Sequence, residues 1–144
     1  MELRFRLATE VDTSTLFEWR NDEFTRMNSH NQNKISYENH LKWFINQLKN
    51  TNVYIYIVVY RNVSVGTVRK EWSGDCWIIS WTVSPACRGK GYGTLMVKKF
   101  LEDINGIVKA EVKLGNIASQ KIAEKAGLEK EVIIDDIIYF SRKK

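Results

Sequence analysis

The sequence predicts an α/β fold built on one mixed sheet, mostly antiparallel and flanked by about four helices. Three consecutive strand-like segments between residues 53 and 83, separated by short turns, predict an antiparallel meander. A glycine-rich turn then joins the last of these strands to a helix and a further strand, which predicts a parallel crossover. The 144 residues contain no linker, repeat or low-complexity segment, so we expect a single domain over residues 1–144.

The N-terminal third predicts one strand and two helices. Apolar and charged residues alternate over residues 3–7, which indicates a half-buried strand. Thr9 or Asp12 can cap a helix that runs to about residue 20, and the polar residues 21–33 predict a loop or a short helix. A second helix, capped by its first residue, spans about residues 36–49 and carries an apolar stripe at helical spacing.

The remaining elements complete the sheet. The meander has strands at Val53–Tyr60, at about residues 64–72 with an interruption at Gly66, and at Cys76–Val83. A helix follows the glycine turn to about residue 104. The last predicted elements are a strand at Ala110–Leu114, a helix at Asn116–Ala126 that stops at Gly127, and strands at about Glu129–Ile134 and Ile137–Ser141.

Composition narrows the classes of partner. The formal charge of +5 and the pI of about 9.2 favour an anionic small molecule. Because no run of five Lys or Arg occurs, we expect no nucleic-acid partner. Two cysteines make neither a disulfide framework nor a zinc site, so we expect no metal. The sequence shows no signal peptide and no apolar run of 18 residues, which predicts a cytoplasmic protein without a membrane partner.

The turn Arg88–Gly93 is the strongest candidate for a ligand site. A glycine-rich turn at a helix N-terminus offers backbone N–H groups and a partial positive charge to phosphate oxygens. No acidic residue occurs from Cys76 through Leu101, whereas four basic residues do. The spacing G-x-G-x-G fits neither a P-loop nor the dinucleotide fingerprint G-x-G-x-x-G. From the residues alone, a tight turn that binds nothing stays an alternative.

Two sequence blocks resemble the GNAT (GCN5-related N-acetyltransferase) family. Val83–Gly93 is similar to that family's acetyl-coenzyme A signature, in which Arg88, Gly91 and Gly93 match Arg/Gln-x-x-Gly-x-Gly/Ala. Downstream, Leu114–Leu128 resembles the family block N-x-x-S/A…E-K-x-G-F/L. The resemblance implies the GNAT fold, whose sheet splays at the parallel crossover. It also implies transfer of an acetyl group from acetyl-coenzyme A directly to a primary amine in a ternary complex.

The resemblance implies roles for named residues. Backbone amides of the turn hold the pyrophosphate, the strand ending at Val83 pairs with the pantetheine arm, and Asn116 bonds that arm or caps its helix. The implied cofactor-binding residues are Trp81, Thr82, Val83, Arg88, Gly89, Lys90, Gly91, Tyr92, Gly93, Thr94, Asn116 and Ser119.

The sequence departs from the family at the catalytic positions. Ala123 stands where many relatives have a tyrosine acid, and no carboxylate lies on the strand Cys76–Val83. The catalytic residues are therefore not identified by the resemblance. His30 and His40 are the two candidates for proton transfer, because histidine titrates near neutral pH. A water chain that accepts the proton fits equally well.

The N-terminal part resembles two branches of the family. Trp19-Arg20-Asn21 and the later E-x-H-L-x-W-F around His40 and Trp43 are similar to acetyltransferases of nucleotide-linked 4-amino sugars in pseudaminic and legionaminic acid synthesis. They are also similar to ribosomal-protein N-terminal acetyltransferases.

The first branch implies a nucleotide amino sugar as substrate, bound by Arg20, His40 and Trp43, with Arg26 or Lys34 as further cations for its phosphates. A catalytically inactive coenzyme A-binding module is a third hypothesis, and a homodimer is left open.

Overall fold

The computed structural model of the protein describes residues 2–143. The N-terminal elements are β1 (Arg4–Leu7), α1 (Thr13–Asn21), α2 (Glu23–Met27), α3 (Tyr37–Lys49), β2 (Val53–Tyr60) and β3 (Val63–Trp72). The C-terminal elements are β4 (Trp77–Val83), α4 (Tyr92–Glu102), β5 (Val108–Lys113), α5 (Ile117–Lys125), β6 (Glu129–Ile134) and β7 (Ile137–Arg142). Short 3₁₀ turns at Glu10–Asp12 and Pro85–Cys87 lie before α1 and after β4.

The strands form one seven-stranded sheet in the order β1-β2-β3-β4-β5-β7-β6. Every neighbouring pair is antiparallel except β4 and β5, which are parallel. Helix α4 makes the crossover between these two strands, and the β6–β7 hairpin folds back so that β7 pairs with β5. The predicted α/β fold, with a mostly antiparallel sheet and one parallel crossover, is confirmed.

Helices cover the sheet on both faces. On one face, Met96 and Val97 of α4 pack with Val68 of β3 in the larger core cluster, and all three are fully buried. On the other face, Phe44 of α3 packs against Ile57 of β2 in a second cluster. Burying an aromatic side chain of this size contributes about 1.5–3 kcal/mol, so Phe44 helps to hold α3 on the sheet.

Strand β3 continues through Gly66, but its pairing with β2 shifts register there, since Val58 pairs with Gly66 and Val59 with Ser64. Val65 is therefore the extra residue of a β-bulge. A Cβ atom at Gly66 would lie 2.6 Å from the carbonyl oxygen of Thr82 and 2.8 Å from Sδ of Met96. The glycine therefore lets α4 approach the sheet closely, which is a packing requirement and not a break in the strand. The interruption predicted at Gly66 is thus a β-bulge in the pairing with β2, within a strand that continues on both sides of it.

The polar segment after α1 contains the short helix α2, so five helices flank the sheet within residues 2–143, one more than predicted. Asp22 caps α2 by accepting a hydrogen bond from the backbone N–H of Thr25 at 3.1 Å. No residue of α2 is fully buried, so burial contributes little to holding it in place. None of the described helices is long and apolar enough to cross a bilayer.

Candidate active site

The glycine turn between β4 and α4 has the backbone geometry of an anion-binding turn. Gly89 and Gly91 have φ values of 74° and 83°, in the left-handed region, and Gly91 is the N-cap of α4. No acidic residue lies in the first turn of α4, so the N-terminal N–H groups and the helix dipole face the turn without a neighbouring negative charge on the helix. A Cβ at Gly91 would meet no atom within 4 Å, so the space beside it is open.

Gly93 is required for a different reason. A Cβ there would lie 2.4 Å from Cδ1 of Ile122 and 3.1 Å from Cγ2 of Val83. The glycine therefore lets the first turn of α4 lie close to both α5 and the end of β4. This contact fixes the helix N-terminus against the rest of the site.

A cleft of about 380 Å³ lies along this turn, and we call it the turn cleft. Of the cofactor-binding residues implied by the sequence, all line the turn cleft except Lys90, which is exposed on the outer side of the turn. Its other lining residues come from α2 and the turn after it, and from α5. The two sequence blocks, more than twenty residues apart, therefore meet at one cleft.

The sheet splays open beside the turn cleft. Strands β4 and β5 pair only at Trp77 with Val108 and at Ile78 with Lys109, and beyond these residues no pairing continues. The β5-facing backbone edge of Ile79–Val83 therefore has no partner strand among the described residues. Unpaired strand edges present N–H and C=O groups to a ligand, so this gap can bind an extended chain such as a pantetheine arm.

A second cavity, of about 340 Å³, lies on the other side of the gap, between the sheet and helices α1 and α3. We call it the α3 cavity. It shares several lining residues with the turn cleft: Thr25, Asn28, Ser29, Trp81, Thr82, Asn116 and Ser119. Because the two spaces share these lining residues, a group bound in the turn cleft can reach a group bound in the α3 cavity at the gap between β4 and β5.

Arg20 places a partly unpaired cation in the wall of the α3 cavity. Its guanidinium carbon lies 4.6 Å from the ring centroid of Trp43, in a cation–π contact. Its Nη1 is buried and has no hydrogen-bond partner among the described residues. Burial lowers the pKa of Arg20 from its ordinary value, but arginine stays protonated at neutral pH. An anionic group in the cavity would satisfy this donor.

His40 forms the floor of the α3 cavity and is only 1% exposed. Its ring centroid lies 5.5 Å from that of Phe17, 5.8 Å from that of Trp43 and 6.0 Å from that of Phe44. Neither ring nitrogen has a hydrogen-bond partner within residues 2–143. Burial, and secondly the charge of Arg20, lower the pKa of His40. His40 is therefore neutral at pH 7.

His30 and Glu111 face each other at the mouth of the α3 cavity. Nε2 of His30, in the turn after α2, lies 3.4 Å from Oε1 of Glu111 on β5. Both side chains are largely exposed, at 62% and 44%. A carboxylate and an imidazole at hydrogen-bond distance can take up a proton from a bound group and pass it to solvent. Of the two predicted histidines, His30 is thus the one beside a carboxylate.

Ser119 lies where the two spaces meet. Its backbone N–H donates to Oδ1 of Asn116 at 3.1 Å, so Asn116 is the N-cap of α5 as the sequence allowed. Its Oγ accepts a hydrogen bond from Nε1 of Trp81 at 3.2 Å. Since the indole can only donate, the hydroxyl hydrogen of Ser119 remains free to donate to a group at the gap between β4 and β5.

Two further predicted cations do not line the α3 cavity. Arg26 braces the segment after α1, because its Nε donates to the carbonyl oxygen of Asn21 at 3.0 Å and its Nη1 to that of Gln32 at 3.3 Å. Lys34 is exposed outside the cavity. Arg69 and Lys113 do line it. The Arg69 guanidinium is held by Gln47 at 2.6 Å and Glu71 at 2.8 Å.

Sequence reasoning missed Glu111 and the lining residues of α2. The alternation of buried Val108, Ala110 and Val112 with Lys109, Glu111 and Lys113 places Glu111 on the face away from α4 and α5. This alternation is visible in the sequence, so the orientation of Glu111 could have been predicted from it. What the sequence did not show is that this face borders a cavity where β4 and β5 separate. Within the described residues, no group of three or more His, Cys, Asp or Glu is arranged to hold a metal ion.

Solved structures share this architecture. An aminoglycoside acetyltransferase AAC(6')-Ib, in complex with ribostamycin and coenzyme A, matches with a TM-score of 0.85 and 20% identity over 100% of this chain and 94% of that chain. A spermidine N-acetyltransferase from Vibrio cholerae, in complex with coenzyme A and spermine, has a TM-score of 0.86 and 13% identity over 98% and 95% of the two chains. Ribosomal-protein-alanine N-acetyltransferase from Brucella melitensis has a TM-score of 0.78 and 19% identity over 98% and 99%.

These identities are low, so the likeness to solved structures shows the fold. No curated protein matches the sequence. The family is shown by a match between residues 2–129 and the family model described as Acetyltransferase (GNAT) domain, which spans most of the chain. The chain belongs to the GNAT family and is an N-acetyltransferase whose donor is acetyl-coenzyme A.

Proposed function

We propose that acetyl-coenzyme A lies in the turn cleft, with its pyrophosphate on the backbone amides of residues 88–94 and its thioester at the gap between β4 and β5. The open left-handed turn at Gly89 and Gly91 and the acid-free start of α4 support the first part. The unpartnered edge of Ile79–Val83 supports the second. One of its N–H groups polarises the thioester carbonyl, which is an oxyanion-hole role carried by the main chain.

The acceptor amine enters from the α3 cavity and is part of a nucleotide-linked 4-amino sugar. The observation that carries this proposal is the buried, unpartnered Nη1 of Arg20 in the cavity wall. A cation that lacks a partner favours an acceptor with an anionic group, and a nucleotide diphosphate supplies one. Among the charged residues that line the cavity, Arg20, Arg69 and Lys113 outnumber Glu111, which disfavours polycationic acceptors such as aminoglycosides or polyamines.

The chemistry needs a proton acceptor and a donor for the leaving group. The amine nitrogen attacks the thioester carbon, a C–N bond forms, and the C–S bond then breaks. Glu111, with His30 beside it, accepts the ammonium proton directly or through water. The hydroxyl of Ser119 donates a hydrogen bond to the departing thiolate. These three residues supply what the missing tyrosine and the missing carboxylate of β4 supply in relatives, and they argue against an inactive binding module.

The proposal is tested by comparing kcat/KM for a nucleotide-linked 4-amino sugar with that for N-terminal ribosomal peptides, an aminoglycoside and spermidine. We expect the sugar to be preferred by about 100-fold or more, because an arginine that pairs with phosphate contributes roughly 1.5–3 kcal/mol in addition to the repulsion of cations. A clear preference for the peptide would overturn the sugar and favour the N-terminal acetyltransferase.

Two matched variants test whether the α3 cavity determines the preference for the nucleotide sugar. Arg20→Gln should lower kcat/KM for the nucleotide sugar about 10- to 100-fold. Arg4→Gln removes the same charge from an exposed position on β1 and should leave it unchanged. Equal effects of the two substitutions would show that overall charge, and not Arg20, selects the acceptor.

A further inference from the structure

The side chain of Arg88 contacts α2 as well as the glycine turn. Its Nη2 donates to Oδ2 of Asp22 and, at 3.0 Å, to Oγ1 of Thr25. Its guanidinium carbon lies 4.7 Å from the ring centroid of Phe24. Asp22 is 66 positions away in sequence, so this is a tertiary contact between the turn that begins the cofactor site and a helix of the acceptor side.

Helix α2 depends on this contact more than a longer helix would. It has five residues and none is fully buried, so it has little core packing of its own. Its N-cap, Asp22, is also the group that Arg88 holds. Within the described residues, the hydrogen bonds of Arg88 all come from Nη2, so Nε and Nη1 remain available to a phosphate.

The same short helix and the turn after it form a wall of both spaces. Thr25, Asn28 and Ser29 line the turn cleft on one side and the α3 cavity on the other. A change in the position of α2 therefore changes the shape of the α3 cavity, although the cavity residues on other elements stay where they are.

We propose that Asp22 is a positioning residue that couples the two substrate sites, an inference that rests on the coenzyme A site proposed above. Asp22 holds Arg88. When the pyrophosphate binds Arg88, α2 is fixed as the shared wall and the α3 cavity takes its acceptor-binding shape. Asp22 touches neither substrate in this scheme. Coupling of this kind is reciprocal, so the acceptor would tighten coenzyme A by the same factor.

The test uses Asp22→Asn, because asparagine caps a helix as well as aspartate does but lacks the charge that holds Arg88. Glu23→Gln is the matched control, since it removes the neighbouring exposed carboxylate of α2. In wild type and in Glu23→Gln, coenzyme A should slow hydrogen exchange in residues 22–29 as well as in residues 88–94. In Asp22→Asn, the protection of residues 22–29 should be lost and that of residues 88–94 kept, with Kd for coenzyme A within about threefold of wild type.

Equal protection of residues 22–29 in Asp22→Asn and wild type would overturn the proposal, as would their lack of protection in wild type. Loss of protection in both segments would make Asp22 a structural support of the turn instead. This measurement needs no acceptor, so it stays decisive if the proposed sugar is wrong. Once the acceptor amine is identified, Asp22→Asn should raise the KM for that amine about 5- to 20-fold, while kcat stays near the wild-type value.

Discussion

Gly91→Asp should weaken the binding of coenzyme A at the turn by about 100-fold or more. The substitution places a carboxylate in open space, since a Cβ at this position meets nothing within 4 Å. A single phosphate charge about 5 Å from that carboxylate is disfavoured by about 3 kcal/mol at an effective dielectric constant of about 20. This corresponds to a rise in Kd of about 100-fold or more, because each 1.4 kcal/mol is tenfold.

Two controls separate charge from backbone strain. Gly91 has φ of 83°, so any other residue there costs about 1–2 kcal/mol of stability. Gly91→Ala carries that strain without the charge and should raise Kd less than about fivefold, because a methyl group meets no neighbour. Gly74→Asp carries both the strain and the charge in a distant turn, with φ of 103° and open space. It should lower the melting temperature similarly but leave Kd unchanged.

The assay is titration calorimetry of coenzyme A at 25 °C, with thermal unfolding of each variant to measure the strain. If Gly91→Asp binds coenzyme A as tightly as wild type, the assigned turn is wrong. If Gly91→Ala weakens binding as much as Gly91→Asp does, the backbone shape of the turn is what matters and the electrostatic argument fails.

Three further predictions concern other groups. Cys76→Ala and Cys87→Ala should each keep most of the activity, because direct transfer needs no acetyl-cysteine; a loss above about 100-fold in a folded, coenzyme A-binding variant would indicate covalent catalysis. Ser119→Ala should lower kcat about 10- to 100-fold with little change in KM for acetyl-coenzyme A, and an unchanged kcat would remove Ser119 from the mechanism. The side-chain hydrogen bond from Arg6 lowers the pKa of Asp12 although burial opposes it, so its stabilising effect is present above the ordinary carboxyl pKa and is lost as pH falls through the lowered value. Arg6→Gln should therefore lower the melting temperature at neutral pH, and the difference from wild type should shrink in acid; a difference that is constant with pH would exclude this linkage.

Local signals were sufficient for most of the sheet and for the glycine turn. The β2–β4 meander is predicted correctly because β-branched and aromatic runs separated by short turns, of two and four residues in the structure, leave few other arrangements. Arg61 and Asn62, for example, take φ of 50° and 66°, as a tight hairpin turn requires. The parallel crossover follows from the handed connection of strand, helix and strand.

The parts that the sequence did not predict depend on contacts between distant segments. Helix α2 was predicted only as one of two alternatives, a loop or a short helix, because it has no buried residue to give it a periodic pattern and is held by Arg88 from far along the chain. In the sequence, His40 lies beside the apolar stripe of α3, and this position predicts a half-exposed polar residue. It is 1% exposed because Phe17 of α1 packs against its ring. Neither fact can be obtained from spacing along one element.

The charge of Arg20 acts on the neighbouring His40 and, in the proposed complex, on the acceptor. Together with burial it keeps His40 neutral, because a second positive charge nearby is unfavourable. In the proposed complex, the phosphates of the acceptor pair with Arg20, so this charge binds the substrate and does not lower the pKa of the substrate's ammonium group. A sugar amine is already a weaker base than a lysine side chain because neighbouring oxygens withdraw electron density. The proposed sugar amine therefore needs a weaker base than a lysine side chain would, which is consistent with the absence of a carboxylate from Trp77–Val83.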